Sequence, residues 1–337
     1  MEKSTNRKRL LLYLALTFAL TWMYEVLIVI PLVRDPAAAH TNYATPLMAV
    51  AMLFPSICAV LTRLITKEGF TDSWIRLNFK RRWKYYVFAW FSPAVLTAIG
   101  CVVYFAINPS HYDSEWGYFR QILLTAAPTY TEAQIAAAIN AQLVQAVLLA
   151  PLLNVVFCFG EEFGWRGYML PKMLGSGIKI IPTLLLGGVV WGLWHAPLTW
   201  GVGHNYGSGY EGFPWLGILA MCGFCILLGT LFSFVTLRTR SCIPAALAHG
   251  GINGIASFGV YLMLSPEKNY NPFVGPAPTG YIGGAAFAVT AVVLTLLLAR
   301  DEKRGALIYS PPVETEDIQM PESAEPSQMA IDGKDGD

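Results

Sequence analysis

Residues 159–166 read Phe-Gly-Glu-Glu-Phe-Gly-Trp-Arg and close the apolar stretch Val144 to Phe157. Neighbours on a helix point about 100° apart, so Glu161 and Glu162 look in different directions, and Glu162 shares a face with Arg166 one turn on. Pairing with Arg166 keeps Glu162 ionised and leaves Glu161 free to handle a proton as a general base. A second group, Trp191 to Pro197, holds His195. Pro197 removes the helical hydrogen bond to the carbonyl of Leu193, so the helix is expected to bend or open at His195, with Trp191 a turn earlier as pocket wall or core. In the third group, His249 and Asn253 are four residues apart and project from one face, while Gly250, Gly251 and Gly254 permit close helix approach.

Taken singly, these are an interfacial ion pair, a packing histidine and an interhelical hydrogen bond. Together, a carboxylate, two imidazoles and an amide are what peptide hydrolysis needs: a base for water and donors for the developing oxyanion. Glu161, His195 and His249 could instead hold a divalent metal such as Zn2+ with water in the fourth position. The residues leave both routes open, and the spacing is not the compact HExxH of soluble metalloproteases.

The segments that carry these residues are built for lipid. Of 337 residues, 55% are hydrophobic and 13% charged, against roughly 25% charged in an ordinary soluble chain. The apolar residues fall into runs of about 20, the length a helix needs to cross a hydrocarbon core. The expected fold is therefore an all-α, multi-pass transmembrane bundle of about eight spans, near 10–33, 45–62, 85–107, 141–160, 181–200, 214–237, 243–262 and 281–299. The first reads as a retained anchor rather than a cleaved signal, being long and without a small-residue cleavage site. With both termini cytoplasmic, 20 of the 23 Lys and Arg residues lie inside and Arg34, Arg120 and Lys268 outside, as the positive-inside rule asks.

The expected organisation is three spans in 1–140, a catalytic core in 141–262, a last span in 263–300 and a disordered acidic tail in 301–337. Depth modifies this picture. A helix ending at 160 would leave Glu161 at the surface while His195 and His249 lie some 10 to 20 Å deep at 1.5 Å per residue. The fourth helix is therefore expected to continue to about Leu170, before Pro171, with residues near 141 at or beyond the outer surface. All six cysteines lie in or beside apolar segments, and the Cys222-x-x-Cys225 pair has no partner pair, so packing is expected of it rather than metal or redox chemistry.

The ordered set Glu161-Glu162-x-x-x-Arg166, Trp191-x-x-x-His195 and His249-x-x-x-Asn253 resembles the CPBP intramembrane metalloprotease family, of the CAAX prenyl endopeptidase (Rce1-like) and Abi kinds. The resemblance covers roughly residues 140 to 260. It implies that Glu161 and His195 activate the hydrolytic water, that His249 and Asn253 stabilise the oxyanion, and that Glu162 and Arg166 support the site. The family's second motif usually starts with Phe where this chain has Trp191, a change that keeps an aromatic wall. The implied activity is endopeptidase action on membrane-associated substrates, prenylated (CAAX-type) or leader-peptide, at the cell membrane. Its partners are membrane lipid and a protein or peptide substrate, with no nucleic acid.

Two rivals remain: an ion-coupled transporter, which would show repeat symmetry and paired broken helices, and a catalytically silent immunity or binding protein that keeps the fold. Glu25, in the first span, has no role in this scheme. His40, His111 and His204 are expected to be surface residues.

Overall fold

The computed structural model describes residues 2–35 and 44–307, and no strand occurs among the described residues. In chain order come α1 (Glu2–Arg34), α2 (Thr45–Thr66), α3 (Trp83–Ile107) and α4 (Glu132–Leu153). After a break at Asn154, α5 covers 155–175. Then follow α6 (Ile180–Val202) and α7 (Trp215–Thr239), and α8 (Ile243–Ile255) and α9 (Ala285–Lys303). Among the described residues six helices, α1 to α4, α6 and α7, are long and apolar enough to cross a membrane. The two other expected spans correspond to α8, which has 13 residues, and α9, whose 19 residues end in the charged run Arg300 to Lys303. Because α9 continues to Lys303, the start of the expected tail is helical, and the tail from 308 on, like His40, lies outside the described residues.

The fourth helix departs from the sequence reading at both ends. It begins at Glu132 because Thr131 and Gln134 form a reciprocal capping box that satisfies the first free backbone N–H groups. It breaks at Asn154 and resumes as α5, which runs through Pro171 instead of ending before it. The reason is a local change of register. Residues Phe163–Met169 form a π-helical turn in which Leu170 N–H donates to the Trp165 carbonyl, five residues back. The same device precedes Pro31, where Ile30 N–H reaches Glu25 O, and Pro151, where Ala150 N–H reaches Gln145 O. A proline lacks an N–H and crowds the carbonyl four residues earlier; widening the helix ahead of it relieves both problems.

The buried centre is α7, packed against α3, α6, α8 and α9, with Leu228, Leu231, Phe232 and Val235 in the core. Small residues bring its neighbours into backbone contact. A Cβ on Gly192 of α6 would fall 2.4 Å from Cys222 Cα of α7, and one on Gly254 of α8 would fall 2.2 Å from Ala150 Cβ of α4, the close approach that membrane helices use when no hydrophobic force drives them together. All six cysteines are free thiols and buried. The outer surface exposes Val102, Val156, Leu219 and Val289, an apolar coat suited to lipid, and the chain is an integral membrane protein.

One end of the bundle is locked by ions. Arg63 pairs with Asp72 at 2.6 Å, Lys172 with Asp72 at 3.2 Å and with Glu68, and Arg9 with Glu68 at 3.2 Å, while Tyr168 O–H donates to Glu68 at 2.7 Å. The lock ties α5, which carries the glutamate pair, to α1, α2 and the loop after α2. Burial pushes the Asp72 carboxyl up, but the hydrogen bond and charge of Arg63 and the charge of Lys172 outweigh it and hold Asp72 below the usual carboxylate range. A carboxylate lowered in the folded state contributes stability that is fully present above its unfolded pKa, near ~3.9, and is lost as pH falls through the lower folded value. The thermal unfolding midpoint in detergent should therefore fall as pH drops below about 4. Asp72→Asn should be less stable than wild type at neutral pH and show a shallower acid slope; equal slopes would contradict the lock.

Candidate active site

Three helices bring the motif residues together. Glu161 and Glu162 end the first α-helical part of α5, His195 lies at the turn that breaks α6, and His249 sits midway along α8. The α6 break falls where Pro197 predicts it. His195 caps Ile180–Trp194, and Ala196–Val202 starts afresh with Pro197 in its first turn.

Glu162 is fully buried. Arg166 Nη1 donates to its Oε1 at 3.0 Å and lies at the same distance from Oε2 without hydrogen-bond alignment. On the other side, His249 Nδ1 lies 2.9 Å from Glu162 Oε1; a carboxylate only accepts, so His249 Nδ1–H is the donor and Nε2 is turned away from the pair. Asn253, one turn on, donates to Cys158 Sγ at 3.6 Å. The pairs Glu162 with His249 and Cys158 with Asn253 thus form two successive contacts between α5 and α8, and the expected shared face of His249 and Asn253 is seen.

Trp191 does more than line a wall. Its indole Nε1–H donates to Glu161 Oε2 at 2.7 Å, and its carbonyl accepts from His195 Nδ1 at 2.8 Å. A carbonyl cannot donate, so His195 Nδ1 carries a proton, and in the neutral ring Nε2 holds the lone pair. The indole face receives the Arg166 guanidinium at 4.3 Å, and the indole and His249 rings meet edge to face with centres 5.4 Å apart. Glu161 and His195 therefore meet through Trp191 rather than by direct contact. A phenylalanine at this position would stack under Arg166 but could not hold Glu161. Nothing in the spacing signals this bond, which joins residues 30 apart in sequence.

Two further side chains enter the cluster that sequence reading did not place there. Phe232 of α7 stacks on His249 at 5.5 Å and takes the Arg166 guanidinium at 5.2 Å. His204, expected at the surface, lies parallel to His195 with ring centres 5.7 Å apart. Gly203 ends α6 in the left-handed conformation, φ 67°, and the chain folds back so that His204 N–H bonds the Leu198 carbonyl at 3.2 Å. That reversal decides the position of His204, and the sequence carries it only as a glycine. His111, half-buried, pairs with Tyr104 O–H at 3.0 Å. Glu25 is fully buried at the start of the π-turn in α1, and neither of its carboxyl oxygens has a partner.

Among the described residues, no three His, Cys, Asp or Glu side chains are arranged to hold a metal ion. Trp191 and Glu162 hold each of Glu161, His195 and His249 through one atom, which leaves Glu161 Oε1 and the two Nε2 atoms outside those bonds. What they offer is a carboxylate, an imidazole lone pair and two nitrogen donors on adjoining helices.

Residues 140–255 match the family described as Type II CAAX prenyl endopeptidase Rce1-like. A stretch of 111 residues is also 34% identical to the CAAX prenyl protease 2 of Methanococcus maripaludis, covering 32% of this chain and 38% of that relative. The resemblance read from the three motifs thus holds over the part of the chain that carries them, while most of the relative's length is not spanned by the match.

The buried pair sets a stability test. Glu162→Gln leaves the Arg166 charge, 4% exposed, without its counter-ion, at a cost of about 3 kcal/mol. Adding Arg166→Met should recover most of that loss, because removing both charges also removes the desolvation penalty. Unfolding of both variants in detergent measures this; a double variant less stable than the single would contradict the pairing.

Proposed function

We propose that this protein is an intramembrane endopeptidase that hydrolyses peptide bonds of membrane-associated substrates, prenylated (CAAX-type) or leader-peptide, with water activated by Glu161 and His195. The observation that carries the reading is the buried cluster in which Trp191 joins Glu161 to His195 while Glu162 joins Arg166 to His249. It lies within the segment similar to prenyl endopeptidases.

In this mechanism, water sits between the Glu161 carboxylate and the His195 Nε2 lone pair. Glu161 takes a proton as the water oxygen attacks the scissile carbonyl, and His195 orients that water. The carbonyl oxygen becomes an oxyanion and accepts hydrogen bonds from His249 Nε2–H and the Asn253 amide. His249 serves as a donor at Nε2 when both ring nitrogens carry protons; Glu162, already bonded to Nδ1, balances that charge and fixes the ring plane. Collapse of the intermediate breaks the C–N bond, and the proton held by Glu161 passes to the departing amine. Arg166, Trp191 and Phe232 keep these groups in place.

The mechanism uses a glutamate-activated water and routes no step through a metal. Three results test it in reconstituted vesicles with a panel of prenylated and leader-peptide substrates. Glu161→Gln should lower kcat at least about 10^2-fold, in the range that removal of a general base produces; undiminished activity would overturn the assignment. Trp191→Phe keeps the ring and loses the bond to Glu161, so kcat/KM should fall roughly tenfold, equivalent to about 1.4 kcal/mol. Dialysis against EDTA should leave the rate within about twofold; a rate lost on chelation and restored by Zn2+ would replace the glutamate route with a metal one.

A further inference from the structure

Gln142 and Gln145 lie in α4, a helix of 22 residues with the composition of a membrane span. They fall ten and thirteen residues after its first residue, Glu132, within that apolar segment. A carboxamide there is costly unless its hydrogen bonds are made. Among the described residues neither glutamine side chain has a hydrogen-bond partner, and Gln145 is exposed on the flank of the bundle.

These two amides belong to a polar recess of about 260 Å3 whose lining also includes Asn154, Asn253, Ser257 and Tyr261. Local structure explains why it opens. The π-turn ahead of Pro151 starts at Gln145, and the contact of Gly254 with Ala150 draws α8 onto α4 just beside it. Asn154 donates its side-chain amide to the Gly250 carbonyl at 3.1 Å, and its side-chain oxygen is outside that bond. Asn253 connects the recess to the cluster, since its amide touches Cys158, one turn before Glu162.

The chemistry of the lining selects the occupant. It has no charged residue to hold a phosphate headgroup, and an acyl chain would leave both glutamine amides unsatisfied. A carboxamide both donates and accepts, which is what a peptide group requires, and an extended peptide inside a bilayer has backbone groups that lipid cannot satisfy. We infer that this recess binds the main chain of the substrate beside the scissile bond, with Gln142 and Gln145 pairing its peptide groups and Asn253 standing between them and the reacting carbonyl. The inference rests on the endopeptidase reading and adds to it the surface that receives the substrate backbone.

The test uses the full-length protein in vesicles and one cleaved peptide substrate, together with analogues N-methylated at each peptide group within three residues of the scissile bond. In wild type, methylation at a paired position should raise KM about tenfold. Gln142→Met and Gln145→Met keep side-chain length and remove the amide. Each should raise KM about tenfold for the unmethylated substrate, lower kcat less than threefold, and abolish the penalty at its paired position; Gln145→Asn should fall between wild type and Gln145→Met. A retained kcat shows that the variants fold. The inference is overturned if KM is indifferent to both glutamines, or if the methylation penalties persist unchanged in the Met variants. A wild type that cleaves no peptide of the panel would sink the endopeptidase reading itself, a different result from cleavage that ignores the glutamines.

Discussion

The carboxylate of Glu162 is the point on which the rest of the site depends. A charge that deep is tolerated only with partners, and it has two: Arg166 on its own helix and His249 across the bundle. Arg166, held by that pair, lies over Trp191 and Phe232. Trp191 in turn fixes Glu161 through its ring nitrogen and His195 through its carbonyl. One buried ion pair thus orders four helices, α5 to α8, around a common centre, and Glu161, His195 and His249 are each oriented by a neighbour whose own position is already determined.

The backbone makes room for this by bending helices at prolines. The π-turns ahead of Pro31, Pro151 and Pro171 begin at Glu25, Gln145 and Phe163, so each widened turn carries or adjoins a polar group inside the bundle. At Pro197 the helix breaks instead of widening, and His195 occupies the break. Glycines complete the arrangement by letting α6 meet α7 and α8 meet α4 at backbone distance.

Local relations within one helix were legible in the sequence. The Glu162 and Arg166 pair follows from a four-residue spacing, the opening at His195 from Pro197, and the shared face of His249 and Asn253 from helical periodicity. Apolar run length predicted helices that could span a membrane. What stayed hidden needed contacts between helices or a change of register. The Trp191 bond to Glu161 links different helices, and a motif that tolerates phenylalanine gives no hint of a donor. His204 reaches His195 only because the chain reverses at Gly203. The ends of the fourth helix were not legible, because its start depends on the Thr131 cap and its passage through Pro171 on a π-turn, neither of which leaves a hydropathy signal.

The central claim is that Glu161 and His195 act as one unit on one water molecule, although they meet through Trp191 rather than directly. Single-turnover cleavage rates of Glu161→Gln, His195→Ala and the double variant, measured on the same vesicle-bound substrate, test it most directly. Groups that act as a unit lose their contribution once, so the double variant should be no slower than the slower single. Losses that multiply in the double variant would show two independent contributions and contradict the shared water.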